Sequence, residues 1–351
     1  MTTGSKFFRL FRASRDSDPK VSSRGPLFQV MDLARIFFNR YDPAEYYGLK
    51  LHSGLPDGYV TARQYSQLER RLNPRHVGVV NFDKWHQYCF FRSQGVPTPA
   101  VHGFVVGRRG VILDEPFAGN PHQLLAAFDR HKPVVLKPIG GAHGHGFDIA
   151  VECSPASGTL TLKRGGTMSA TAFLEAVAND PDGLLLQECV VQHPAVAELS
   201  PSAVNTLRIL TLLTPSGHVE FPSILLKMAR AGSLVDNVGA GGIAAHVDPR
   251  TAELGLGFVW PAHDTYELHP DTGMRIRGFK VPFLHECQLV AARAHQRLTS
   301  PRFLGWDVAV TPTGPTVLEV NSFVAAPVYQ RMDAGLGKGS LGSELDFSRS
   351  H

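Results

Sequence analysis

From Val101 onward the sequence alternates short β-rich runs with gaps of which several are too brief for a crossover helix, and this spacing excludes most folds. VHGFVV, PVVLKP, FDIAV, LLLQECVV, RILTLLT, VEFPSILLKMA, DVAVT and TVLEV read as strands. Several lie too close in sequence to pair in parallel, because a parallel pair needs a dozen or more residues to return, so they must pair antiparallel. Helical spacing appears between them at PHQLLAAFDRH, SATAFLEAVAND and PFLHECQLVAARAHQRL, the last with Leu284, Cys287, Val290, Ala291, Ala294 and Leu298 on one stripe. The expectation is an α+β fold rather than a doubly wound parallel sheet.

The chain before Val101 has a different texture. VMDLARIFFNR and TARQYSQLERRLN carry helical periodicity, joined by a polar loop around SGLPDG. NFDKWHQYCFFRSQGVPTP predicts a third helix with Asp83 as N-cap, Gly95 in the left-handed position after its end and Pro97 blocking continuation.

Composition narrows the class. With 43% hydrophobic and 19% charged residues, the 351-residue chain reads as soluble and globular, and no apolar run is long enough to cross a bilayer. Arginines interrupt any leader-like stretch in MTTGSKFFRLFRASRDSD, so a cytoplasmic location is expected. The four cysteines, Cys89, Cys153, Cys189 and Cys287, lack CxxC spacing and predict neither a disulfide framework nor a thiolate zinc site. Residues 1–24 hold six Lys/Arg against two Asp; taking these from totals of 35 and 31 leaves 29 of each sign. A folded face for nucleic acid is therefore not expected. The arm, with Phe7, Phe8, Leu10 and Phe11, reads as solvated and poorly ordered, with weak contact to an acidic membrane surface as the second reading.

LKPIGGAHGHGF, Leu136 to Phe147, is the most distinctive short stretch. It lacks GxxxxGK[ST] and GxGxxG, and it sits between two predicted strands rather than between a strand and a helix. Its glycines let the backbone approach a ligand and aim N–H groups at an anion, while Lys137 adds a point charge from the strand. His143 and His145, two apart with no acidic or cysteine partner nearby, match zinc spacing poorly. A mobile turn with no ligand is the competing reading until other parts of a nucleotide site are found.

Those parts lie in GWDVAVTPTGPTVLEVNSF. Strand alternation puts Glu319 and Asn321 on one face, with Leu318 and Val320 on the other. For the apolar sets to share a core the hairpin loop must hold an odd number of residues; a loop from Pro312 to Thr316 sets Asp307 opposite Asn321. Asp307, Glu319 and Asn321 then offer three oxygen donors, a set suited to a hard cation such as Mg²⁺. Polar capping of a surface hairpin is the plainer alternative, disfavoured by the hydrophobic flanks.

Taken in order, the lysine before a glycine-rich hairpin loop, the strand ending in QECV, the NTLRI segment and the terminal D…ExN pattern resemble the ATP-grasp superfamily of ATP-dependent ligases, from about Phe82 to Ala326. NTLRI, VDNVGAGGIAAHVD, HPDTG, GFKVP and GWDVAVTPTGPTVLEVN are similar to its sugar-transfer-associated branch. The resemblance implies two α+β lobes clamping ATP after a mostly helical N-terminal region. It divides the chain into a basic flexible arm at 1–25, a largely helical region at 26–110, a small lobe with a glycine-rich lid at 111–183, a large lobe with the Mg²⁺ site at 184–330, and a flexible tail at 331–351.

It also implies roles. Lys84 and Lys137 contact the α and β phosphates, and the loop Gly140 to Gly146, with Gly141, Gly144 and Gly146, closes over them. Gln187, Glu188, Cys189 and Val190 form the adenine hinge, and His193 or Glu198 reaches the ribose, although the usual carboxylate after the hinge is not evident. Asp307, Glu319 and Asn321 hold one or two Mg²⁺, or Mn²⁺. Arg208, with Asn205 beside it and Lys227 in support, neutralises the γ-phosphate and the developing acyl phosphate. The implied activity joins a small-molecule or peptide carboxylate to a nucleophile, a carboxylate–amine or related ligation. A small-molecule kinase and a non-catalytic ATP-binding protein are the competing classes. SLVDNVGAGGIAAHVDPR, with Asp236, Asn237 and His246, reads equally as a substrate loop or a glycine-rich connection, and His263 and His269 are open in the same way. Oligomeric state, homo-oligomer included, stays undetermined.

Overall fold

The computed structural model describes residues 11–12, 15, 25–39, 41–54, 57–73, 83–140, 146–262, 264–298, 300–322, 324–331, 336–337 and 339–345. The longer elements among the described residues begin with α1 (Pro26–Asn39), α2 (Pro43–Gly48), α3 (Ala62–Leu72) and α4 (Lys84–Ser93). A capping box between Thr61 and Gln64 starts α3, and the Asp83 carboxylate accepts from the Trp85 and His86 amides to start α4. Gly95 takes φ +64° after α4, the left-handed conformation expected from sequence. In the first two helices, Asp32 accepts from the hydroxyls of Tyr46 at 2.8 Å and Tyr47 at 3.4 Å, which satisfies the carboxylate beneath a small aromatic core.

The first sheet is built from β1 (Val101–Val106), β2 (Arg109–Ile112), β3 (Glu115–Phe117), β4 (Val134–Pro138), β5 (Asp148–Ser154), β6 (Thr159–Leu162), β7 (Gly166–Ser169) and β8 (Leu184–Glu188), in the spatial order 3-2-1-8-4-5-6-7. Helices α5 (Pro121–His131) and α6 (Ala170–Ala178) bury Leu124, Phe128, Phe173 and Leu174 against Val105, Val134, Leu136 and Leu186 on one face. The opposite face stays free to form a site.

A short helix, α7 (Pro194–Leu199), leads to the second sheet: β9 (Thr206–Leu213), β10 (Val219–Glu220), β11 (Ile224–Met228), β12 (Ile243–Val247), β13 (Leu254–Phe258), β14 (Thr265–Tyr266), β15 (Phe303–Thr311) and β16 (Gly314–Asn321). Its order is 14-13-12-11-9-15-16, with β10 on β9. Both faces are covered. α8 (Leu284–His295) packs Leu284, Cys287, Ala291 and Ala294 on one side, and α3 with α9 (Ala326–Tyr329) and α10 (Ser340–Leu345) covers the other. Eight consecutive residues of β15, Phe303 to Val310, are therefore buried, each large apolar one contributing roughly 1.5–3 kcal/mol.

Every strand pairing among the described residues is antiparallel, as the short connections required. The first sheet runs across the expected boundaries at 110/111 and 183/184, since β1 pairs with β2 on one side and with β8 on the other. The tail at 331–351 is also not free throughout. Leu341 is buried, and Glu344 bridges Arg71 at 3.3 Å and Arg302 at 2.5 Å, so its charge anchors the segment to α3 and β15.

Candidate functional site

A cavity of about 410 Å³ opens between the two sheets. The first sheet supplies Val135, Lys137 and Ile149; alternation along β4 turns Val134 and Leu136 into the core and the other two toward the cavity. Gln187, Glu188, Cys189 and Val190, where the chain leaves β8 for the second sheet, form one edge. Glu188 is pinned there: its amide donates to Ala100 O at 2.8 Å and its carboxylate accepts from the Ala100 amide at 3.1 Å. Thr206, Leu234, Val235, Asp236 and Leu318 face them from the second sheet. Apolar walls with a few convergent polar groups suit a planar base and its charged extension.

At one end of the cavity lies a buried ionic cluster. Arg208 on β9 sits directly across from Asp307 on β15 and grips it in a fork, Nε to Oδ1 at 2.6 Å and Nη2 to Oδ2 at 2.7 Å. Lys227 on β11 reaches Asp307 Oδ1 at 2.9 Å and Asp236 Oδ1 at 3.5 Å. Asp236 Oδ2 accepts from the Thr206 amide at 2.8 Å and hydroxyl at 2.5 Å. Burial alone would raise Asp307, but Arg208 and Lys227 outweigh it and hold the carboxyl well below the usual carboxylate range. Burial wins at Asp236, which is raised despite Lys227. Lys227, though desolvated, is raised by Asp236 and Asp307.

Lys137 is the opposite case. No hydrogen bond or ion pair holds its ammonium among the described residues, and burial pushes it down to about 8, with Glu319 and Asp307 pulling upward and Lys84 adding to the fall. Lys84 begins α4, where its amide donates to Ile139 O at 3.1 Å and its ammonium to Gly140 O at 3.4 Å. β4 and β5 do form the two sides of a hairpin, with Leu136 opposite Asp148. The glycine-rich connection itself, Gly141 to His145, lies outside the described residues; Gly146 takes φ +72°.

The hairpin β15–β16 brings Asp307, Glu319 and Asn321 together by a register other than the expected one. A two-residue turn at Pro312–Thr313 replaces the five-residue loop, and a bulge makes Leu318 the extra residue, so Asp307 faces Glu319 rather than Asn321. An even turn plus one bulged residue restores the odd count that the two apolar faces demanded. The bulge also turns Leu318 out of the core and into the cavity. Asn321 Nδ2 donates to Glu319 Oε1 at 3.0 Å and to Asp307 Oδ2 at 3.3 Å. Asp307 thus accepts two bonds on each oxygen, filling its lone-pair positions, and acts first as counter-ion to Arg208 and Lys227. Glu319 and Asn321, partly exposed beside it, offer the hard oxygens a divalent cation takes. No group of three or more His, Cys, Asp or Glu among the described residues is arranged to hold a metal, so a cation there depends on Asn321 and on oxygens from a ligand.

Several expected residues stand elsewhere. Asn205 is fully buried and not among the residues lining the cavity: Nδ2 donates to Gln192 Oε1, Val196 O and Ser200 O, and Oδ1 accepts from the Ala229 amide. With its amide committed on both atoms, it ties the hinge to α7 and β11. His193 Nδ1 caps α7 through the Ala195 amide, its ring packs edge-on against Phe283, and Glu198 is exposed; neither lines the cavity. His246 and His269 bond to the carbonyls of Arg331 and Ala229, both at 3.0 Å, and His263 is outside the described residues. Unforeseen were the apolar walls Phe147, Ile149, Leu234 and Leu318, and Gln87. Buried Gln87 on α4 donates to Val320 O and accepts from the Val320 amide, both at 3.0 Å. One turn from Lys84, it locks that helix to the strand segment between Glu319 and Asn321.

Comparison with known proteins found no match among the curated ones. Among solved structures, carboxyaminoimidazole ribonucleotide synthase from Aspergillus clavatus is 13% identical, with a TM-score of 0.43 over 75% of this chain and 52% of that one. Biotin carboxylase from Campylobacter jejuni is 11% identical, at 0.44 over 76% and 45%. D-alanyl-alanine synthetase A from Vibrio cholerae is 11% identical, at 0.40 over 69% and 55%. The chain spans about half the length of each. A family model described as sugar-transfer associated ATP-grasp matches residues 63–338, most of the chain, and the protein belongs to that family.

Proposed function

We propose that the protein is an ATP-dependent carboxylate ligase. The observation that carries this is the cavity itself: an apolar slot with a hinge at one edge and, toward the other end, Lys137 facing the Arg208–Asp307–Lys227 cluster. The adenine lies between Val135, Ile149 and Leu318, with the backbone of Glu188 to Val190 reading its edge. Lys137 and Lys84 neutralise the α and β phosphates. Arg208 and Lys227, already oriented by Asp307, meet the transferred phosphoryl group, so that no reorganisation is needed as its charge shifts. Glu319 and Asn321 would hold Mg²⁺ or Mn²⁺, which when bound screens the phosphate oxygens and orients them for in-line transfer.

A substrate carboxylate oxygen attacks the γ-phosphorus and ADP leaves, giving an acyl phosphate. A nucleophile, an amine or a related group, then attacks the carbonyl carbon and phosphate leaves. The first step needs no general base, because a carboxylate is ionised at neutral pH.

The test is ATP turnover with Mg²⁺ against panels of carboxylates and nucleophiles. Phosphate release that requires one of each is the expected result. A phosphorylated product that accumulates without coupling would make the protein a kinase, and ATP binding without turnover would make it a nucleotide-binding protein. Loss of Mg²⁺-dependent turnover in Glu319→Gln, with the fold retained, checks the metal assignment; undiminished turnover removes it.

A further inference from the structure

Helix α1 faces the wrong way for a soluble protein. Leu27, Phe28, Val30, Met31, Phe37 and Phe38 are 72, 53, 62, 43, 75 and 80% exposed, and they are six of the ten large hydrophobics exposed among the described residues. At 100° per residue they fall within an arc of about 180°, opposite the stripe of Asp32 and Ile36 that packs inward. No acidic residue lies in this arc; exposed Arg35 is at its edge.

Charge identifies the occupant. The surplus of positive charge in the whole sequence resides in residues 1–24, directly before this helix, and Arg15 donates to Gln29 on α1 at 3.0 Å. A second copy would bring the same positive segment against its own kind. An anionic surface offsets it. At 14 residues, with Asp32 bonded to Tyr46 and Tyr47 on its inner side, the helix is built to lie along an interface rather than to cross one. We propose that the protein docks on anionic lipid bilayers, the α1 face entering the headgroup region and the net positive charge of residues 1–24 drawing the chain to the anionic headgroups.

The test is co-sedimentation of the full chain with vesicles of phosphatidylcholine plus phosphatidylglycerol. The parent protein should sediment with these, lose binding as salt rises, and remain in solution with phosphatidylcholine alone. Phe37→Ser with Phe38→Ser should weaken binding about tenfold or more. Since both side chains are largely exposed, the melting temperature should not change; Leu27→Ser with Val30→Ser is the second variant. Absence of binding to anionic vesicles, equal binding to phosphatidylcholine alone, or undiminished binding by both variants overturns the proposal. So does a dimer that the same substitutions dissolve in a protein that ignores vesicles.

Discussion

Two buried lysines, one from each sheet, are treated in opposite ways. Lys227, in the second sheet, is desolvated but paired with Asp236 and Asp307, and its affinity for the proton rises. Lys137, in the first sheet, is desolvated with no counter-ion bonded to it among the described residues, and falls to about 8. The second sheet thus carries a charge cluster bonded within itself, whereas the cation of the first feels its nearest carboxylates, Glu319 and Asp307, only through space. The difference separates a bonded cluster from a cation placed to meet an anionic ligand.

The sharpest way to break this contrast is Asp307→Asn. Two buried cations would lose their shared counter-ion, and the fold should be destabilised by about 3–5 kcal/mol in denaturant titration. A change near zero would show that the cluster is not a structural unit. Lys137→Ala should do the reverse: kcat/KM for ATP falls about 10²-fold, while stability holds or improves because an unpaired buried charge has gone. Equal loss of stability in both variants would erase the distinction.

Asn205→Ala probes the second sheet's scaffold without touching its charges. It leaves the buried Ala229 amide and Ser200 carbonyl without the partner they have in Asn205, at about 1–3 kcal/mol each, and ATP affinity should fall only as far as stability does. A variant with full stability but no turnover would return Asn205 to the reacting groups.

The smallest effect is a dependence on pH with two signs. Lys137 has its affinity for the proton lowered in the folded chain from an ordinary 10.5 to about 8, so between these values the unfolded chain binds more protons and stability rises with pH. ATP needs the charged form, so its affinity should fall above pH 8, by up to roughly tenfold per unit for one proton. Calorimetry in buffers of different ionisation enthalpy should then detect proton uptake on binding. In Lys137→Arg both trends should vanish, because a guanidinium does not titrate there.

Residues whose chemistry is local were legible in the sequence. Asp83 and Gly95 punctuate α4, QECV ends β8 at the cavity edge, and Lys137 precedes its hairpin, because capping, alternation and turn signals act over a few residues. Asp307, Glu319 and Asn321 were legible as a group through parity alone, even though the turn was shorter and a bulge made up the count. The backbone bonds of Asn205 and His193 were not legible, because polar side chains next to strands look alike in sequence, whether they face a ligand or a neighbouring backbone group.

An α+β chain with antiparallel sheets, a basic N-terminal segment and a glycine-rich hairpin follow from residue order alone, since spacing and periodicity constrain these directly. Tertiary structure decided which cations are paired. Arg208 and Asp307 stand 99 residues apart and Gln87 and Val320 stand 233 apart, and only the stacking of β9, β11 and β15 and the docking of α4 bring them into contact. A charge's energy is set by its distance to its neighbours and by the water excluded around it, and the linear order of residues contains neither quantity.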